Sequence, residues 1–474
     1  MKKNNRSGRL ALVTILTAPL LYVIDIFIIN MAIPAIQKGL SATNGDIQLV
    51  IAGYLLGSAA FLVTGGRAGD YLGKKKTFLW GMFFFTFTSC LCGISQTATQ
   101  LNIIRFFQGI STSIMVPQSI AYINVLYMDQ KKRAIAIGWY GVTLSIAAII
   151  GQILGGYLAD TTLWGIAGWR LIFLINLPAG IVSLLMIWSF LDETKKDRSQ
   201  QFDYPGALIL TAGLVSLIYS LTEGREKGWP LWSIALLVLA VCIFILFIRH
   251  QRHKTLQHKG PLIDISLFRI REFNLGLLTV LFHFMLHTAY LLMCAVYLQN
   301  GLGLTAFACG MYFIPHAILF MISAMAASHL IVRFGKKVLL LGAALIMVSF
   351  ILQVFLFRQQ PGGFCVMLLI GLYGLGNGLV LPSLLTVALG NLPEKHAGVA
   401  AGIFSTFQQT ASALGISIMG GIYYYILNQT PLPDHPMAFA YGIGANILCL
   451  CVVIFILFLL PQPGKQGALS AHAA

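Results

Sequence analysis

Long apolar runs separated by short polar turns dominate the chain. Fourteen runs stand out, at 11–33, 47–69, 77–96, 101–127, 134–158, 168–190, 204–222, 231–249, 273–297, 305–329, 337–357, 362–386, 398–425 and 436–460. Most are close to the roughly 20 residues that an α-helix needs to cross about 30 Å of hydrocarbon. A buried core helix of a soluble protein explains one or two such runs, but not fourteen. Unpaired backbone groups are too costly in lipid, so each run reads as a helix. A β-barrel needs alternating segments of about ten residues, and the chain has none. The fourth and thirteenth runs are long enough to tilt or to extend past the hydrocarbon. The seventh starts near Pro205, a first-turn proline. The first run follows MKKNNRSGRL and is too long for a signal-peptide core, so it reads as a span kept in the mature protein.

Composition agrees with this reading. Of 474 residues, 58% are hydrophobic and 10% charged, against about 25% charged in soluble domains. The mean hydropathy is +0.82. A net charge of +16 raises nucleic acid as a partner, but the basic residues sit in inter-span turns and form no continuous stripe, so none is expected. No zinc spacing, Walker loop or dinucleotide fingerprint occurs, and neither metal nor cofactor is expected. All eight cysteines lie inside apolar runs, where they act as small hydrophobes. With the N-terminus inside, 25 Lys and Arg fall on inner segments and five on outer ones, leaving Arg105 within a span. That bias places both termini in the cytoplasm.

The turn after the second span reads Gly-Asp-Tyr-Leu-Gly-Lys-Lys-Lys (69–76), and the turn after the tenth reads Arg-Phe-Gly-Lys-Lys (333–337). Setting spans seven and eight aside makes both the second span of a six-helix half. The expected organisation is therefore an N-terminal six-helix bundle at 1–190, two inserted helices with a loop at 191–272, and a C-terminal six-helix bundle with a short tail at 273–474. Such repeats typify transporters that rock two bundles about a central site.

Asp25 is the one clear acid inside a span, roughly 12 Å from the outer end at 1.5 Å per residue. A carboxylate there is expensive and marks a pathway or a proton site, unless it serves a structural ion pair. Arg105 enters from the same side at similar depth, so a pair across the bundle is open to it, as is snorkelling to the interface. The same span carries Gln108, Ser111 and Thr112, and the first span carries Asn30, all candidates for a cavity wall. Gly66, Asp70, Gly73, Lys74 and Lys75 form the turn after span two, read as a gate element in which Asp70 could cap the next helix; plain topology signals are the alternative. Gly151, Gln152, Gly155 and Gly156 lie in GQILGG on span five, a small-xxx-small packing face. His283 and His287 share a face of span nine and His316 lies in span ten; each is a proton relay candidate or a satisfied core histidine.

These motifs together resemble the major facilitator superfamily, and within it the fourteen-span drug:proton antiporter branch. The resemblance runs over essentially the whole chain. Asp25, Asn30, Ala32 and Pro34 match the first-span motif. GRAGDYLGKK at 66–75 matches the loop motif and keeps Asp70 and Gly73. Arg105, Gln108 and Gly109 match the fourth-span motif, and Trp169, Arg170, Phe173, Asn176, Pro178 and Gly180 that of the sixth. FDYPGA (202–207), PLIDISLF (261–268) and the stretch from Gly398 through Gln409 to Gly415 are also similar. On span five the family's Gly-Pro is Gly151-Gln152 here, which predicts a straighter helix.

The resemblance implies a transporter, not an enzyme, in the bacterial cytoplasmic membrane, functional as a monomer among lipids. It would export hydrophobic or cationic drugs against protons, with Asp25 and Arg105 in proton coupling. Export of a specific metabolite, lipid-like compound or siderophore, proton-coupled uptake, and a receptor or scaffold role are the alternatives. The charge bias makes one direct prediction: single cysteines engineered at either terminus react with membrane-impermeant maleimide only after the cells are opened. Labelling of intact cells contradicts the orientation.

Overall fold

The computed structural model describes residues 5–460 except 128, 164, 195–202, 258–259, 264, 360–361, 390–396 and 430–432. Among these it is all-α apart from one small hairpin, in which Thr162–Leu163 pairs antiparallel with Ile166–Ala167. The first five crossings are α1 (Asn5–Leu40), α2 (Asn44–Leu72), α3 (Lys74–Ile94), α4 (Ala98–Leu126) and α5 (Gln130–Ala159). α6 (Gly168–Phe190) is interrupted at Ile175, α7 runs over Tyr204–Gly224, α8 over Leu231–Leu256 and α9 over Arg271–Gly301. α10 comprises Ala306–Tyr312 and Ile314–Phe334, α11 is Lys337–Leu356, and α12 is Gly363–Leu389. α13 runs from Ala397 to Leu427 through a π turn at Ile416–Gly420, and α14 is His435–Leu459. Thirteen crossings are long and apolar enough to span a bilayer. The fourteenth, α4, is more polar because it carries the buried Arg105, Gln108, Thr112 and Gln118.

α1 to α6 pack on one another, as do α9 to α14. Within the first group α2 and α4 meet most closely, and glycine makes this approach feasible. A Cβ on Gly109 would sit 2.0 Å from the Tyr54 carbonyl, and one on Gly57 2.1 Å from that of Phe106. This contact sets Tyr54 of α2 beside Arg105 of α4. The outward faces carry exposed Trp80, Phe83, Phe87, Trp188 and Leu231, as expected where the solvent is hydrocarbon.

Two contacts join the halves. α5 lies against α10, where a Cβ on Gly156 would meet the Ala306 carbonyl at 2.5 Å, and Asp160 accepts a hydrogen bond from Phe307 N at 3.0 Å. α2 lies along α13, with Asn44 donating to Asn428 at 3.4 Å. At the terminal end α5 stands clear: Ile137, Gly138, Trp139 and Gly141 are all exposed, and both glycines have open space around them. Among the described residues, α5 therefore meets the second half only toward the end opposite the chain termini, while α2 stays against α13 from mid-depth toward the terminal end. α5 is one continuous helix from Gln130 to Ala159.

The inserted helices α7 and α8 form a hairpin on α2. At its base the two motifs FDYPGA and PLIDISLF meet. Asp203 caps α7 by accepting from Gly206 N at 2.9 Å, and also accepts from Lys254 Nζ at 2.8 Å, Gln251 Nε2 at 2.7 Å and Leu262 N at 3.3 Å. Burial alone would raise the Asp203 pKa, but these bonds, with one from His250, hold it well below the usual carboxylate range. At the other end α7 runs two residues further than the sequence predicts and ends in a π turn, Ser220–Gly224. The turn carries Glu223, a second acid at the edge of a span, paired with Lys227 at 3.0 Å.

Candidate functional site

Asp25 and Arg105 form a fully buried ion pair, Nη1 to Oδ2 at 2.5 Å. Of the two roles open to Arg105, the structure takes the interior one. Gln108, one turn on from Arg105, accepts from Arg105 Nη1 through Oε1 at 2.8 Å and donates through Nε2 to Asp25 Oδ1 at 3.2 Å. Asn176 of α6 donates to Asp25 Oδ1 at 3.4 Å and to Ser89 Oγ of α3 at 2.9 Å. Arg105 Nε donates to the Val50 carbonyl of α2 at 3.2 Å. Helices α1, α2, α3, α4 and α6 thus converge on one carboxylate and one guanidinium.

Aromatic rings extend the site. The guanidinium lies over the Tyr54 ring, 4.1 Å from its centroid, a cation–π geometry that partly replaces lost hydration. Tyr54 stacks on Tyr22 at 6.2 Å. Tyr22 OH accepts from Gln409 Nε2 of α13 at 2.5 Å, and the same nitrogen donates to Ser58 Oγ of α2 at 3.2 Å. Gln409 therefore reaches from the second half to within one ring stack of the ion pair. The sequence reading did not single out Tyr22, Tyr54 or Gln409 as site residues. Tyr22 carried a usable signal, since it lies three residues before Asp25 on the same helix face.

The other candidates distribute as follows. Asn30 is buried on α1. Thr112 donates to the carbonyl of Gly109 and Ser111 to that of Phe107. Ser111 also borders a groove of about 390 Å³ between α3 and α4, lined by Phe84, Phe87 and Phe107. Gly151 and Gly155 seat α5 on α1, against the Ile24 and Ile28 carbonyls, and Gln152 is buried. His283, His287 and His316 gather around Tyr373 and Asn377, apart from the ion pair.

The turn after α2 makes hydrogen bonds with the end of α6. The side chain of Asp70 lies outside the described residues. Glu193, beyond the end of α6, accepts from Lys75 N at 3.1 Å and Lys76 N at 3.2 Å, and Thr194 accepts from Lys74 N. Gly73 has φ +103°, and a Cβ there would lie 2.5 Å from Glu193, so glycine is required on both counts. Lys75 Nζ donates to the Trp188 carbonyl at 2.7 Å, while Gly66 makes only ordinary contact with Pro117. Among the described residues no cluster of His, Cys, Asp or Glu could hold a metal ion.

Comparison with known proteins fits this architecture. A profile of the Major Facilitator Superfamily matches residues 15–416. A "Probable actinorhodin transporter" of Streptomyces coelicolor is 31% identical, over 88% of this chain and 73% of its own. The "Multidrug resistance protein Stp" of Mycobacterium tuberculosis is 29% identical, over 95% and 82%. A "Methylenomycin A resistance protein" of Bacillus subtilis is 26% identical, over 96% of each chain. Among solved structures, a D-xylose-proton symporter superposes with a TM-score of 0.68 at 13% identity, covering 95% of this chain and 97% of its own.

The site geometry makes a stability prediction. Arg105→Ala strands a buried carboxylate and should destabilise the protein by about 3–5 kcal/mol. Asp25→Asn in the same chain should recover most of that loss, because no charge is left unpaired. Thermal unfolding of the purified variants checks this. Equal destabilisation of single and double variants contradicts it.

Proposed function

The chain belongs to the Major Facilitator Superfamily, to a drug-resistance branch of transporters and not enzymes, and we propose that it exports hydrophobic or cationic drug-like molecules in exchange for protons. The observation that carries this reading is the buried Asp25–Arg105 pair, one ring stack from Gln409 at the contact between the halves. In this reading residues 1–190 and 273–474 are the moving bundles, and 191–272 supplies the inserted pair.

The coupling step follows from electrostatics. A proton from outside neutralises Asp25, and the attraction that holds Arg105 and any cationic substrate falls with the charge. The substrate then leaves outward. When the protein opens inward again, the proton passes to the cytoplasm and Asp25 re-forms its pair. Exchange requires that proton and substrate oppose each other's binding through a shared equilibrium between states. Ser111, Thr112, Asn30 and the histidines are candidate cavity residues, and the turn from Gly66 to Lys75 and the GQILGG face act in the conformational change.

A narrower reading, export of one particular compound, draws on the names of relatives. The actinorhodin transporter is named for a single product, as is the "Tetracenomycin C resistance and export protein" of Streptomyces glaucescens, 27% identical. A proteoliposome screen with an imposed pH gradient separates the readings: many dyes and drugs accumulate under the first, one or none under the second. In the same assay Asp25→Asn should abolish gradient-driven accumulation while the protein stays monodisperse, and downhill exchange should persist. Unchanged accumulation in that variant overturns the assignment of Asp25.

A further inference from the structure

The second half contains a polar chain that the ion pair does not use. His283 and His287 of α9 stand on either side of Asn377 of α12. Asn377 Oδ1 is 2.9 Å from His283 Nε2, and Asn377 Nδ2 is 3.2 Å from His287 Nδ1. Tyr373 OH is 2.7 Å from the same His287 Nδ1. The Tyr373 ring lies between those of His287 and His316, at 6.1 and 5.6 Å. His283 is fully buried, and its Nδ1 has no hydrogen-bond partner among the described residues.

An amide has one donating and one accepting end, and that restricts where a proton can sit. With Oδ1 toward His283, His283 must donate from Nε2, while His287 Nδ1 receives the Asn377 amide and must be bare. An added proton then fits only at His283 Nδ1, the atom with no partner. With the amide turned over, His287 must donate from Nδ1 and His283 Nε2 must be bare. The added proton now fits on His287 alone. Placing it on the wrong ring sets two N–H groups against each other.

The groups around the chain bring no charge of their own. The titratable neighbours of His287 are His283 and Tyr290 on its own helix, Tyr373 on α12 and His316 on α10. α13 brings no titratable side chain to this depth, and α14 brings Cys449. α1, which also touches α9, carries Tyr22 and Asp25, the latter engaged by Arg105.

We propose that His283, Asn377 and His287 form a second proton-binding site, which holds one proton and moves it between a buried and a partly exposed imidazole as the Asn377 amide turns over. Tyr373 can donate to His287 in one state and accept from it in the other. The proposal rests on the reading of the chain as proton-coupled, but its test requires neither substrate nor gradient.

The full-length protein, labelled with ¹⁵N in its imidazoles, is titrated in detergent micelles, and single His→Gln variants assign the resonances. His283 and His287 should together take up one proton, with both rings changing tautomer at a common midpoint. Asn377→Asp, the same size but accepting at both ends, should let both rings be protonated, doubling the count from one to two. Asn377→Leu, as a second variant, should split the common midpoint into two independent ones. Uptake of two protons in the wild type, uptake of none, or the same titration in all three proteins overturns the proposal. A normal titration together with gradient-driven accumulation unaffected by Asp25→Asn would instead fault the assignment of Asp25 and leave this site standing.

Discussion

Everything near the first half's centre depends on keeping one negative and one positive charge where water does not reach. Removing an ion from water costs several kcal/mol even after the protein relaxes, and mutual attraction compensates only when the remaining lone pairs and protons also find partners. Asp25 and Arg105 draw on Gln108 and on three further helices, through the Val50 carbonyl and the face of Tyr54 on α2 and Asn176 with Ser89 on α6 and α3, while Arg105 Nη2 has the ring face but no hydrogen-bond partner among the described residues. The close approach of α2 and α4 through Gly57 and Gly109 follows from the same demand, since a wider gap would take Tyr54 and Val50 out of reach.

The pair can act as a switch because its bonds are mutual. Neutralising one member weakens the hold on the other, and Arg105 also lies over the Tyr54 ring. From Tyr54 the contact passes to Tyr22 and then to Gln409 in the other half. Among the described residues, Gln409 makes the side-chain hydrogen bonds that cross between the bundles near mid-depth. The remaining links, Asn44 to Asn428 and Phe307 to Asp160, lie toward the end opposite the chain termini. A charge change at Asp25 thus sits a short physical distance from a place where the halves meet.

Much of this was legible in the sequence because lipid leaves few choices. Fourteen apolar runs had to be helices, and an acid and an arginine inside two of them had to be explained by each other or by function. Other features carried no such signal. Glu193 caps α3 from more than a hundred residues away, and periodicity says nothing of a contact at that range. FDYPGA and PLIDISLF were recognisable separately, but that Asp203 joins them through Leu262 N depends on how the inserted hairpin folds back. The π turn closing α7 brought Glu223 within a span, because an extra residue per turn is invisible to a hydropathy pattern. Gln409 looked like one more polar residue on a long helix until the halves were placed together.

The central claim is that Asp25 gains and loses a proton within the membrane. Infrared difference spectra of the purified protein in lipid, recorded between neutral and acidic pH, test it without any substrate. The account predicts a carboxylic-acid C=O component that appears on acidification in the wild type, beside the bands of the exposed acids, and is lost in Asp25→Asn. Spectra of wild type and Asp25→Asn that are identical in this region, with no component lost, contradict it.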